Sequence, residues 1–165
     1  TVPQTCSEQV RRSCAHPQKN DVTERAQTMP STEDSLAIAE LLNRMGFYYD
    51  ENHLDDLAAS FTGDAVMSMQ IGGGDLVGPF EGRDNIMELY RGAKSTQTDV
   101  RRHVISNIFF DTTGDTLSVT SYLTLFATEN AETKLLTTGV YRDQVVQIEG
   151  EWKISRRHID LDSAY

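Results

Sequence analysis

Residues 30–65 read PSTEDSLAIAELLNRMGFYYDENHLDDLAASFTGDA, and the spacing of their apolar side chains decides how the chain begins to fold. Leu36, Ala39, Leu42, Met45 and Tyr49 recur at steps of three and four, the period of a helix with one buried face. Leu41, Ile38 and Tyr48 widen that stripe. Ser31 and Thr32 supply hydroxyls that can cap free N–H groups, and Glu33 and Asp34 suit the positive end of the helix dipole. The helix is expected to stop near Asp50-Glu51-Asn52. A second short helix is expected over Leu54–Phe61, with Asp55 and Asp56 at its start and Gly63-Asp64 at its end.

Downstream the period changes. Ala65–Ile71 alternates and reads as a strand, followed by a flexible turn at Gly72-Gly73-Gly74-Asp75. Gly78-Pro79-Phe80-Glu81-Gly82 reads as another turn, leading into a helix from Arg83 to about Ala93 with Ile86, Leu89 and Tyr90 on its apolar face. Strands are expected over Val100–Asp111, Leu117–Thr128, Leu135–Ile148 and Trp152–Leu161, with turns at Thr113-Gly114-Asp115 and Glu149-Gly150-Glu151. In the second of these, Leu117, Val119, Ser121, Leu123 and Leu125 face one way. Helix, helix, strand, helix and then a run of antiparallel strands is an α+β layer architecture, with helices covering one face of a curved sheet.

The chain has 165 residues, 15 Lys plus Arg, 25 Asp plus Glu and a formal net charge of −10. That length suits one domain with a real core. The acidic balance argues against nucleic acid and anionic lipid as partners, because both would be repelled. No apolar run approaches the roughly 20 residues of a spanning helix, so no membrane partner is expected. Arg11, Arg12, Lys19 and Arg25 balance Glu8, Asp21, Glu24 and Glu33, so the whole negative charge falls on residues 34–165. Residues 1–33 have no apolar periodicity and read as a polar tail or arm; 34–165 read as the folded domain. The tail lacks the apolar core of a secretory signal. It holds both cysteines, Cys6 and Cys14, which could form a local disulfide, share a metal or stand as two free thiols. Only His16 lies near them and the spacing fits no zinc pattern. A cytoplasmic location is expected.

Several segments together resemble one family. They are Phe47-Tyr48-Tyr49-Asp50, Leu54–Ala65, Phe80-Glu81-Gly82-Arg83-Asp84-Asn85-Ile86, Arg102–Asn107, Gly139-Val140-Tyr141-Arg142-Asp143 and Gly150–Arg157. In order and spacing they are similar to the SnoaL-like branch of the NTF2-like superfamily, over about residues 34–162. The resemblance implies a cone-shaped α+β barrel, in which a bent mixed sheet wraps a long N-terminal helix around a deep apolar pocket. It also implies a homodimer or homotrimer. Relatives range from dehydratases, cyclases, isomerases and pericyclases to transport factors and oxygenase β subunits, so activity has to be argued from the site.

Within that resemblance, Asp50 and His103 match the Asp-His pair of scytalone dehydratase and the dehydrochlorinase. A carboxylate that accepts one ring N–H fixes the tautomer and raises the basicity of the other nitrogen. Tyr49 matches the dehydratase tyrosine, a phenol that can polarise a substrate carbonyl. Tyr48 sits about 100° round the helix from it. Asn107 would share a strand face with His103, Ile105 and Phe109. Met69 and Tyr122 are further candidates to line the pocket. In the last strand Trp152, Ile154, Arg156 and His158 alternate with Lys153, Ser155, Arg157 and Ile159, and one parity would bring Arg157 to the substrate. The family's second histidine is missing, its place falling near Thr128, and its asparagine falls near Thr137. A single-base site acting on a hydrophobic small molecule such as a polyketide, terpenoid or steroid-like compound remains, fitting elimination, isomerisation or cyclisation. No cofactor is called for: Gly72-Gly73-Gly74 lacks the setting of a nucleotide loop, and His53, His103 and His158 lack metal-ligand spacing. The alternatives are a non-catalytic binding or scaffolding module and a pericyclase driven by pocket shape.

Overall fold

A computed structural model describes residues 29–165; the cysteine-bearing stretch lies outside the described residues. The elements are α1 (Thr32–Asp50), α2 (Leu54–Ala59), β1 (Phe61–Ile71), β2 (Val77–Glu81), α3 (Arg83–Ser95), β3 (Val100–Thr113), β4 (Thr116–Glu129), β5 (Glu132–Ile148) and β6 (Glu151–Leu161). They form one six-stranded sheet in the order β2-β1-β6-β5-β4-β3. All neighbours are antiparallel except β1 and β6. This is the expected α+β class, with a curved mixed sheet against N-terminal helices. No described helix is long and apolar enough to cross a membrane.

Helix α1 starts where its caps dictate. The Asp34 N–H donates to Ser31 Oγ at 3.0 Å, and the Asp34 carboxylate accepts from the Ser31 hydroxyl and from Trp152 Nε1–H. The Ser31 hydroxyl, then Trp152, hold the Asp34 carboxyl below its usual range. Ile38, Leu42, Met45 and Tyr49, one helical stripe, join Leu117, Val119, Leu123 and Leu125, inward residues of β4, in one buried cluster. The two periods predicted from sequence meet in one core, except that Leu36, the first residue of the expected helical stripe, is 68% exposed.

The register slips once in each of the five strand pairings, and in the β3–β4, β4–β5 and β5–β6 pairings the slip is a bulge of one extra residue. In β3 the register slips between Ser106 and Phe109 opposite β4. In β5 it slips around Leu136, and in β6 an extra residue, Ser155, sits opposite the Gln144–Val145 step. Bulges bend a strand and increase its twist, which is how a flat sheet becomes a wrapped one. They also reverse which side chains face inward. In β6, Ile154 faces the core, and beyond Ser155 the inward residues become Arg157 and Ile159.

Two expectations are corrected at the sheet edge. Val77–Glu81 is not a turn but an edge strand paired with β1. Pro79 has no N–H to donate, and an edge strand is where a proline is tolerated. Strand β1 begins at Phe61, so Gly63 and Asp64 belong to it, and α2 ends at Ala59.

Gly139 and Gly92 should respond oppositely to alanine. A Cβ at Gly139 would stand 2.4 Å from the Asp160 carbonyl oxygen, a backbone atom that cannot give way, whereas at Gly92 in α3 it meets nothing within 4 Å. Gly139→Ala should cost about 1–3 kcal/mol and Gly92→Ala should gain about 0.5–1 kcal/mol in urea unfolding. Equal effects of one sign would contradict this packing.

Candidate active site

The last turn of α1 runs against β3, and Gly46 permits the approach. A Cβ there would lie 3.2 Å from His103 Cβ and 3.4 Å from the His103 carbonyl oxygen. One turn later, on the same face, Asp50 reaches His103 with both carboxylate oxygens. Oδ1 lies 2.6 Å from ring Nδ1, and Oδ2 accepts the His103 backbone N–H at 2.8 Å. The Asp50 side chain is only 5% exposed and that of His103 11%. An ionised carboxylate is an acceptor only, so Nδ1 carries the proton in this pair. Nε2 has no hydrogen-bond partner among the described residues, and His103 lines the cavity.

That cavity has a volume of about 260 Å³. Its wall is apolar (Leu42, Met45, Leu89, Leu123 and Ile159 among others) and carries a set of phenols, Tyr49, Tyr90, Tyr141 and Tyr165. Tyr49 meets His103 edge-on at 5.3 Å and Tyr90 at 5.5 Å. Burial pushes the Tyr49 phenol up to about 12, against a smaller opposing pull from Arg101. Burial also raises Tyr90 and Tyr141. These groups are thus neutral hydrogen-bond donors near neutral pH.

The one cation that, among the described residues, lines the wall is already matched. Arg157 donates from Nε and a terminal nitrogen to the two oxygens of Asp143, both at 2.7 Å, with side-chain exposures of 4% and 0%. The guanidinium stacks over Tyr141 at 4.6 Å. Burial disfavours its charge, but Asp143, through its charge and hydrogen bonds, more than offsets this, so Arg157 is held more firmly protonated than usual. The pair is neutral overall, which suits an apolar cavity.

The candidates from sequence separate clearly. Asp50, His103, Tyr49, Met69 and Arg157 converge on one region: His103, Tyr49, Met69 and Arg157 line the cavity and Asp50 stands behind His103. Tyr48, Asn107 and Tyr122 do not line it. Tyr48 is on the neighbouring face of α1, against Phe47 and His53. Asn107 lies in the β3 bulge at φ 51°, and the extra residue turns it and Phe109 outward while Ile105, Ile108 and Phe110 pack inward. Tyr122 alternates with buried Ser121 and Leu123 and is 47% exposed on the opposite face. Thr128 bonds Thr133, and Thr137 bonds Ser163, so neither supplies a second base. Among the described residues no three His, Cys, Asp or Glu side chains cluster as metal ligands.

Asp143, Tyr90 and Gly46 are not among the site residues expected from sequence. Asp143 had a signal: it shares a strand parity with Gly139, Tyr141 and Val145, and an acid on an apolar face requires a buried partner. Removing that partner should be costly. Asp143→Ala should destabilise by about 3–5 kcal/mol, whereas Asp143→Leu with Arg157→Met should cost far less in chemical denaturation. A mild Asp143→Ala would contradict a buried, mutually dependent pair.

Residues 30–158 match the profile of the SnoaL-like domain. Solved structures give the same architecture. An NTF2-like protein with a cystatin-like fold from Novosphingobium aromaticivorans superposes with a TM-score of 0.64 at 20% identity, covering 78% of this chain and 82% of that one. A protein of the same organism provisionally named scytalone dehydratase gives 0.63 at 26%, covering 78% and 84%. The β subunit of a provisionally assigned aromatic-ring-hydroxylating dioxygenase, also from that organism, gives 0.69 at 18%, covering 81% and 92%. No curated protein matches the chain in sequence.

Proposed function

The chain belongs to the SnoaL-like domain family, and on that premise we propose that it is a cofactor-free acid–base enzyme, a lyase, isomerase or cyclase acting on a hydrophobic small molecule. The observation that carries this reading is the double contact of Asp50 with His103, which leaves Nε2 toward an apolar cavity. In the proposed reaction Nε2 removes a proton from carbon beside a carbonyl or a leaving group. Asp50 stabilises the imidazolium that forms. The electron pair moves onto the carbonyl oxygen or expels the leaving group, and Tyr49 donates to the oxygen as its charge grows. The high phenol pKa keeps Tyr49 a donor across the working range. Arg157 and Tyr90 provide a second polar wall for orientation, with Met69 packing against the substrate.

An oxygenase β-type scaffold is the competing reading, suggested by the dioxygenase neighbour. A scaffold has no need of an open cavity or of a joined pair facing it, and both features favour catalysis. A homodimer or homotrimer would cover the outer sheet face, where Val104, Phe109 and Tyr122 are about half exposed.

The test is deuterium uptake from heavy water into a panel of neutral hydrophobic carbonyl compounds. His103→Ala should cut exchange or turnover by roughly 10²–10⁴. Near-wild-type rates in that variant would rule out His103 as the base.

A further inference from the structure

We propose that Lys94 is a positioning and charge-balancing residue of the Asp50–His103 pair, holding His103 as a neutral base. Helix α1 ends at Asp50 with no basic residue in its last turn. A helix C-terminus carries partial negative charge and unpartnered carbonyls, and the Asp50 carboxylate adds a full charge beside them. The missing cation comes from another helix. Lys94, in the last turn of α3, donates from Nζ to the Asp50 carbonyl oxygen at 3.0 Å. The same ammonium lies 5.2 Å from the centroid of the Tyr49 ring, within cation–π range.

The direction of approach matters. Lys94 binds the Asp50 carbonyl and leaves the carboxylate to His103, so it adds positive charge without competing for the dyad bond. Around His103 stand Asp50 and Tyr49 from α1, Lys94 behind them from α3, Arg101 and Arg102 nearby on β3, and Tyr90, Tyr141 and Tyr165 in the same cavity wall. Arg101 is paired with Asp99 at 2.9 Å and Arg102 with Glu51 at 3.2 Å. Arg157, across the cavity, is paired with Asp143. Among the described residues Lys94 has no carboxylate within ion-pair distance, so its charge is the one left to act on the pair. A half-buried cation favours the carboxylate and disfavours an imidazolium, and it steadies the phenol ring that flanks the histidine.

This inference rests on reading the pair as an acid–base site, yet its test needs no substrate. The His103 ring is titrated by NMR in the full chain, as wild type, Lys94→Met and Lys94→Arg. Loss of the charge in Lys94→Met should raise the His103 midpoint by about 0.4 units or more, the scale of one nearby charge acting through water-like screening. Lys94→Arg should titrate within about 0.2 units of wild type on the same scale. An unmoved midpoint in Lys94→Met, or an equal shift in Lys94→Arg, would overturn the proposal. Should Lys94→Met fail to fold, Lys94→Gln reads out the same loss of charge. An inactive His103→Ala with an unmoved Lys94→Met titration would reject Lys94 alone and leave the dyad standing.

Discussion

Asp50 spends both carboxylate oxygens on a single residue, one on the His103 backbone and one on its ring. This double contact joins the end of α1 to β3 and orients the one histidine that, among the described residues, lines the cavity. The rest of the structure serves the approach it requires. Gly46 removes the side chain that would hold the helix off the strand. The stripe from Ile38 to Tyr49 joins the helix to the sheet's core, and Lys94 braces the helix end from outside. A contact within the low-dielectric wall is stronger than the same contact in water, and leaving either partner unpaired there would be costly.

The cavity is polarised, with its ionised groups held in pairs. At one side lies the imidazole backed by its carboxylate; at another lies a guanidinium cancelled by Asp143. Between them stand phenols that burial keeps neutral. Such a wall binds an apolar body by burying its surface and reads a few oxygen positions through fixed donors. The preference follows from burial: an anion entering here would meet a base and an already satisfied arginine.

Much of this was legible in the chain because two periods were strong. Leu36 to Tyr49 announced a helix, and Leu117 to Leu125 announced the inward face of a strand. Asp50, at the end of the first, was legible as a partner only through the order of the family segments, since 53 residues separate it from His103. The illegible part was parity. A bulge adds one residue and reverses every side chain after it, and nothing in Ser106–Phe109 or Ser155 advertises the insertion. Asn107 therefore points out where alternation sends it in, and Arg157 comes inward although Ile154 is inward too. The edge strand at Val77–Glu81 was hidden for a related reason: Gly78 and Pro79 belong to turns by composition, and only pairing with β1 makes them a strand.

The central claim is that Asp50 fixes the proton of His103 on Nδ1 and leaves Nε2 as the base in the cavity. A long-range proton–nitrogen NMR spectrum of the histidine rings at neutral pH, in wild type and Asp50→Asn, tests it most directly. The account predicts a single Nδ1–H tautomer for His103 in the wild type, lost or mixed in Asp50→Asn. An Nε2–H tautomer in the wild type, or a spectrum indifferent to Asp50, would contradict it.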